Sequence, residues 1–116
     1  MKDVVITCKR NGFEVGDIVC HGKNGHLYAP PNSGTIHGQV VGVSGDVASV
    51  KILGAITCRY TGATLTQNAG GYAQIVYDGA NGKNSVKTGT NAIGSFILEH
   101  DDSDPNNIMI TYLKVY

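Results

Sequence analysis

Glycine recurs along the whole chain, and the runs between glycines are too short to hold long helices. The chain has 116 residues, 16 of them glycine, and the intervening runs are rich in Val, Ile, Thr and Tyr. Runs of this composition that are bounded by turn residues are typical of β-strands. We predict strands at residues 4–8, 17–21, 26–29, 39–43, 48–53, 55–60, 73–77, 95–100 and 108–115.

The close spacing of these strands limits how they can be connected. Parallel neighbours need a crossover of a dozen or more residues, usually a helix, and the intervals leave no room for one. A parallel sheet is therefore not expected. We predict an all-β fold, a compact β-barrel or β-sandwich of short antiparallel strands. A chain of this length is expected to form a single domain, residues 1–116.

Two Asn-Gly dipeptides mark tight turns in this pattern. They are Asn24-Gly25 and Asn81-Gly82. Asn-Gly accepts positive φ at both central positions of a type I′ turn, the turn that suits a two-residue hairpin. The sequence therefore predicts type I′ hairpins at both places. The segment PPNSG at residues 30–34 is expected to be a loop, because proline cannot donate to a strand ladder.

The first hairpin sequence has a counterpart in the second half of the chain. DIVCHGKNG at residues 17–25 aligns with QIVYDGANG at residues 74–82. The identical positions are Ile18, Val19, Gly22, Asn24 and Gly25, which match Ile75, Val76, Gly79, Asn81 and Gly82. A single hairpin unit is marginally stable alone, so two such units should share a core. We predict two weakly repeated halves, roughly residues 12–54 and 71–116.

Charge and cysteine content restrict the partners and the compartment. Nine basic and nine acidic residues give zero net charge, without the positive field that draws proteins to nucleic acid. No segment approaches the ~20 apolar residues of a membrane span, and the N-terminus does not resemble a secretory signal. Three cysteines, an odd number without close pairing, indicate free thiols and synthesis in a reducing cytoplasm. No nucleic-acid or membrane partner is expected.

The side chains that could take part in catalysis or metal binding do not form a recognisable site. Cys20, His21 and His26 lie close in sequence, but they lack the paired ligand spacing of a zinc site. Cys20 and His21 would face opposite sides of a strand, and the repeat replaces them with Tyr77 and Asp78. The acidic residues 101–107 lack the glycine and glutamate of a calcium loop. We predict no catalytic residue, no metal and no cofactor, and hence no enzymatic activity.

Four stretches resemble the small decoration, or cement, proteins on the heads of tailed bacteriophages. They are GFEVGDIVCHGKNGHLYAP (residues 12–30), GQVVGVSGDVASVKILG (38–54), CRYTGATL (58–65) and the interrupted GYAQIVYDGANGK...AIGSFILE (71–99). The resemblance implies a non-enzymatic protein that binds the exterior of a viral capsid and stabilises contacts between major capsid proteins. It also implies synthesis in the host cytoplasm, a final location on the virion surface, and the major capsid protein as partner, with self-association on the capsid as an additional option.

Two parts of the sequence are candidates for partner binding. Val4, Val5 and Ile6 belong either to an extended arm that adds a strand to a neighbour or to the first strand of the protein's own sheet, and we favour the second interpretation. Tyr28 is a candidate because tyrosine combines an apolar ring with a polar tip. The tyrosine content keeps open an alternative function, a carbohydrate- or surface-binding β module, which could also be displayed on a virion.

Overall fold

A computed structural model of the chain describes residues 3–22, 24–60, 75–89 and 108–112. The strands are β1 (Val4–Lys9), β2 (Ile18–His21), β3 (Leu27–Tyr28), β4 (Gly38–Ser44), β5 (Val47–Tyr60), β6 (Ile75–Tyr77), β7 (Ser85–Thr88) and β8 (Ile108–Tyr112). A single 3₁₀ turn, Gly79–Asn81, joins β6 to β7. The all-β prediction is confirmed. The strand predicted at residues 95–100 lies outside the described residues, and β7 was missed by the sequence pattern. Within the described ranges, no helix is long and apolar enough to cross a membrane.

The long strand β5 organises the sheet. The strand order is β3-β2-β4-β5-β7-β6, and both β1 and β8 also pair with β5. The ladders are antiparallel except for a two-residue parallel pairing between β5 and β7. The chain between Tyr60 and Ser85 is longer than the dozen residues that a parallel connection needs. The expectation of purely antiparallel pairing is therefore wrong at this place.

The strands do not close into a barrel within the described residues. β1 and β3 approach each other through a single bridge between Lys9 and His26, supported by a 2.7 Å hydrogen bond from the Lys9 backbone N–H to the Gly25 carbonyl. A single bridge cannot replace a continuous ladder, so the barrel predicted as one alternative is corrected to an open sheet. β3 has only two residues, which is too few to complete the closure.

Gly54 lies inside β5 and does not end it. The sequence predicted separate strands at 48–53 and 55–60, but β5 continues through the glycine for 14 residues. Gly54 has φ +122°, a conformation that glycine adopts without a side-chain clash. The neighbours of β5 change at this point. β1 pairs as far as Leu53, and β8 pairs from Gly54 onward. The glycine therefore marks a change of partner strands, not a strand boundary.

The buried residues form two apolar clusters. The N-terminal core consists of Cys8, Val19, Leu27, Val40, Ala48 and Val50. The C-terminal core consists of Ile18, Ile36, Ile56, Cys58, Ile75, Tyr77 and Val86. Successive side chains of a strand point to opposite faces, and β2 accordingly sends Ile18 into one core and Val19 into the other. β2 is thus buried on both faces and separates the two cores.

Both predicted Asn-Gly hairpins exist, but neither has the predicted turn type. β2 pairs with β3 and β6 pairs with β7, both antiparallel. Asn81 lies in the 3₁₀ turn and does not have the positive φ that a type I′ turn requires at the asparagine. In the first hairpin the Gly25 N–H donates to the Gly22 carbonyl, which makes Gly25 the last residue of the turn and not a central one, so the type I′ prediction is wrong there too. The first turn is closed between Gly22 and Gly25, and the second contains the 3₁₀ turn.

The two hairpins meet in the middle of the molecule. Ile18 of β2 and Ile75 of β6, which occupy equivalent positions of the proposed repeat, both lie in the C-terminal core. The loop at residues 30–34 adds to this contact, because the Ser33 N–H donates to the Tyr77 carbonyl and the Tyr77 N–H donates to the Gly34 carbonyl. The duplication itself stays a prediction, since residues 61–74, 90–107 and 113–116 lie outside the described residues.

Candidate functional site

Of the four residues predicted to bind a partner, three are exposed, on two different strands, and one is partly buried. Val4 and Val5 on β1 are 39% and 49% exposed, and Tyr28 on β3 is 45% exposed. Ile6 packs against the N-terminal core and contributes mainly to stability. β3 and β1 are far apart in the strand order, so the valines and Tyr28 are not consecutive parts of one ladder.

The N-terminal segment is the first strand of the protein's own sheet. β1 pairs antiparallel with β5 from Val4 opposite Leu53 to Lys9 opposite Val47, with a register shift between Val4 and Val5. The interpretation that we favoured from the sequence is confirmed. An arm that leaves the molecule would need this ladder to break, and the apolar contact of Ile6 with the core would be lost with it.

The exposed side of β1 and β5 forms what we call the outer face, made of Val5, Thr7, Val47, Ser49 and Lys51. Thr7 lies opposite Ser49, and Val5 lies opposite Lys51. Val47 is 44% exposed, and the remaining members are small or polar. Apart from Lys51, the outer face is therefore a surface of short side chains, two of them exposed valines.

Two ion pairs lie at the margins of the outer face. Lys51 Nζ lies 3.2 Å from Asp3 Oδ2, and Lys9 Nζ lies 3.9 Å from Asp46 Oδ2. The carboxylates and amines of these pairs are partly or largely exposed, so each pair contributes little to stability. Each pair nevertheless combines one positive and one negative charge. The outer face therefore presents no excess of either charge to a partner.

Tyr28 forms the second exposed place together with two histidines. Its ring centroid lies 6.5 Å from that of His37 in an edge-on arrangement, and the rings of His37 and His21 are 4.6 Å apart. The backbone N–H of His21 donates to His37 Nδ1 at 2.9 Å, which fixes the His37 ring. Partial burial raises the pKa of Tyr28, and the neighbouring Cys20 raises it further. The result is a small aromatic surface whose rings are held in place by β2.

The Cys-His stretch has a structural use in this arrangement. The thiol of Cys20 is buried and donates to the Thr35 carbonyl at 3.1 Å, whereas His21 on the opposite side of β2 is only partly buried. The described part of the chain contains no group of three His, Cys, Asp or Glu side chains that could hold a metal ion. Burial raises the pKa of Cys8, and it raises the pKa of Cys58 to about 12. Both thiols are therefore poor nucleophiles at neutral pH.

A polar cluster that sequence reasoning missed joins the two halves of the chain. The Asp17 carboxylate is buried and accepts from the Glu14 N–H at 2.9 Å and from Asn84 Nδ2 at 3.0 Å, with Lys83 Nζ 3.2 Å away. Burial by itself would raise the pKa of Asp17, but these donors outweigh it and lower that pKa. Asn84 also accepts from the Ile18 N–H at 2.8 Å. All of its described partners are structural, so the cluster fixes the fold.

Comparison with known proteins adds no relative to this description. No protein-family model, no curated protein and no solved structure matches the chain. The resemblance to phage decoration proteins therefore stays a prediction from the four sequence stretches.

Proposed function

We propose that this protein is a capsid decoration protein, a non-enzymatic structural protein that binds the exterior of a viral capsid and stabilises contacts between major capsid proteins. Its partner would be the major capsid protein, and its place of action the virion surface. The observation that carries the proposal is the outer face of β1 and β5, on which Val5 and Val47 are exposed between two ion pairs.

The outer face suits protein binding because it can be dehydrated at low cost. Its valines gain from burial, while the hydroxyls of Thr7 and Ser49 can form hydrogen bonds with a partner. Val41 at the irregular step of β4, the strand that pairs with the other edge of β5, is also exposed and extends the apolar area beyond the outer face. These features match the composition of a modest protein interface, in which a few apolar contacts lie within a polar surround.

A modest interface is sufficient on a capsid. A shell displays many identical sites, and a protein that contacts more than one subunit, or binds as an oligomer, gains from multivalency. Zero net charge fits this role, because affinity then depends on shape and apolar contact and varies little with ionic strength.

Co-sedimentation with undecorated shells of the phage that encodes the protein tests the proposal. The wild-type protein should sediment with the shells, and Val47→Glu should weaken binding by about tenfold because a carboxylate would have to be buried in the interface. Val15→Glu is the matched control. Val15 is 59% exposed but lies in the loop before β2, so this variant should bind like the wild type. Wild-type protein that stays in the supernatant would refute the proposal.

The surface of Tyr28 and His37 supports the alternative, a carbohydrate- or surface-binding β module. An exposed aromatic ring held by a neighbour can stack on the apolar face of a sugar. Binding on a glycan array that is lost in Tyr28→Ala and retained in Val47→Glu would favour this alternative. An array without signal would count against it.

A further inference from the structure

Asparagine is a chemically labile residue, and it is most labile when glycine follows it. The glycine nitrogen attacks the side-chain carbonyl carbon of the asparagine, loses its proton, and expels ammonia, which leaves a cyclic succinimide. Water then opens the ring to aspartate or to isoaspartate, in which the main chain runs through the former side chain. Glycine favours the attack because it has no Cβ to hinder it. The chain has three such dipeptides, Asn11-Gly12, Asn24-Gly25 and Asn81-Gly82.

Two of the three asparagine side chains are held by hydrogen bonds. Asn11 Nδ2 donates to the Leu27 carbonyl at 2.9 Å, and Asn81 Nδ2 donates to Asp78 Oδ2 at 2.8 Å. The side-chain carbonyl carbon reaches the next backbone nitrogen only after the side chain turns. Each of these hydrogen bonds therefore has to break before the reaction can start, which slows it.

The backbone of the Asn11-Gly12 turn adds a second restraint. Asn11 has φ +49° and Gly12 has φ +82°, and the Phe13 N–H donates to the Arg10 carbonyl at 3.0 Å. Positive φ at both central positions is the geometry of a type I′ turn. The backbone is thus fixed on both sides of the peptide bond that would have to react.

Asn24 lies at the tip of the β2–β3 hairpin and lacks a side-chain restraint. It is exposed, and its side chain makes no hydrogen bond with the part of the chain that the structure describes. A Cβ placed on Gly25 would meet no atom within 4 Å, so the backbone has room to turn there. The Gly25 N–H donates to the Gly22 carbonyl at 3.1 Å, but the Gly82 N–H is similarly engaged with the Gly79 carbonyl at 3.4 Å. This backbone contact therefore does not distinguish the two sites.

We infer that Asn24 is the site at which the folded protein deamidates, and that the fold protects Asn11 and Asn81. The reaction needs no reagent other than water. It replaces a neutral amide by a carboxylate, so a chain of zero formal net charge acquires a negative charge.

Isoaspartate at position 24 would loosen the contact between the hairpin and β1. The Gly25 carbonyl accepts from the Lys9 N–H at 2.7 Å, and the Gly22 N–H donates to the His26 carbonyl at 2.9 Å. Isoaspartate inserts a methylene group into the main chain between Gly22 and Gly25. Because hydrogen bonds depend steeply on distance and angle, the longer turn cannot keep both of these bonds in their present geometry.

Peptide mapping locates the reaction after the folded protein has been kept in a mildly alkaline buffer. Asn24 should deamidate at least about fivefold faster than Asn11 and Asn81, the factor expected where an ordinary hydrogen bond must break first. In urea the three sites should react at similar rates, because the fold no longer holds the other two side chains. On isoelectric focusing the wild type should become more acidic, and Asn24→Gln should not change over the same period.

Amide hydrogen exchange tests the effect on β1. In wild-type protein that contains isoaspartate, the Lys9 amide should exchange faster than before. The Arg10 amide is the internal control, because it donates to the Asp46 carbonyl at 2.9 Å and makes no contact with the hairpin. Freshly purified Asn24→Asp carries the new charge without the extra methylene group, so its Lys9 amide should still exchange slowly.

The inference is overturned by a folded protein that deamidates first at Asn11 or Asn81, at all three sites equally, or at none. Unchanged exchange of the Lys9 amide in the isoaspartate form would refute the effect on β1. These outcomes do not depend on binding to capsid shells, so the inference and the proposed function can fail separately.

Discussion

Asn84 and Asp17 connect the two hairpins through a side-chain hydrogen bond of 3.0 Å between residues that lie 67 positions apart. Asn84 is held at φ +62°, and its side-chain oxygen Oδ1 accepts a hydrogen bond from the Ile18 N–H. One asparagine thus satisfies a buried carboxylate and a backbone donor at the start of β2. This contact fixes the second hairpin against the first.

Replacing Asn84 should therefore cost more than its position in a turn suggests. We expect Asn84→Ala to lower the free energy of unfolding by about 3 kcal/mol, from two hydrogen bonds and the strain of alanine at positive φ. Asn84→Gly keeps the backbone conformation and should lose about 2 kcal/mol. Urea unfolding measures both values. Equal losses would show that the backbone conformation contributes nothing.

Asp17 should make the protein sensitive to acid. The pKa of Asp17 is lowered in the folded state, so ionised Asp17 stabilises the fold. This stabilisation is complete when the pH is above about 3.9, the usual pKa of an unfolded aspartate. It is lost as the pH falls through the lower folded-state value. Asp17→Asn should be less stable than the wild type at pH 7 and should lose less stability on acidification.

Urea unfolding at pH 7 and in the acid range, for Asp17→Asn and the wild type, measures this dependence. Asp46→Asn, at an exposed carboxylate in a long ion pair, is the control and should change stability at pH 7 by less than about 1 kcal/mol. An Asp17→Asn variant with the same acid profile as the wild type would contradict the assignment.

Gly54 of β5 should resist substitution more than Gly42 of the neighbouring strand β4. At φ +122° an alanine is strained, and its Cβ would collide with the Asp3 carboxylate. We expect Gly54→Ala to cost about 1–3 kcal/mol. Gly42→Ala in β4 is the matched control, since its Cβ would meet Ser49 at an ordinary 3.9 Å and its φ is not positive. Thermal unfolding of the two variants should differ accordingly, and equal midpoints would refute the argument.

The cysteines should be unreactive while the protein is folded. All three thiols are buried and free, and burial raises the pKa of Cys58 to about 12. A chromogenic disulfide reagent at pH 8 should label the native protein slowly and all three thiols in urea. Cys58→Ser should leave this slow native rate unchanged. Rapid labelling of one thiol in the native state would point to a site that opens.

Much of the fold follows from local patterns in the sequence. Short runs of apolar and β-branched residues bounded by turn residues are enough to predict β1, β2, β4 and the strand at residues 108–112, because this composition is a local property of the chain. Gly54 was misread for a physical reason. A glycine in a strand pattern is equally consistent with an end or a bend, and the choice depends on which strands lie beside it. β7, Ser85–Thr88, contains one apolar residue, Val86, and so lacks the apolar run that marks the other strands.

The polar cluster could not have been predicted from the sequence. Asp17 precedes a strand and Asn84 follows an Asn-Gly dipeptide, and both positions are ordinary for turn residues. Their hydrogen bond depends on how the two hairpins meet, which no local pattern specifies. The partner-binding residues show the same limit. Periodicity indicates that Val5 and Ile6 point in opposite directions, but the choice of the inward residue requires the neighbouring strand β5.

The passage of β5 through both cores makes them one cooperative unit. β5 supplies Val50 to the N-terminal core and Ile56 to the C-terminal core, so neither core can release this strand without exposing buried residues of the other. The chain should consequently unfold in a single transition, and amide hydrogens in the middle of β5 should exchange only when the whole molecule opens. Neither core can be excised as an independent domain.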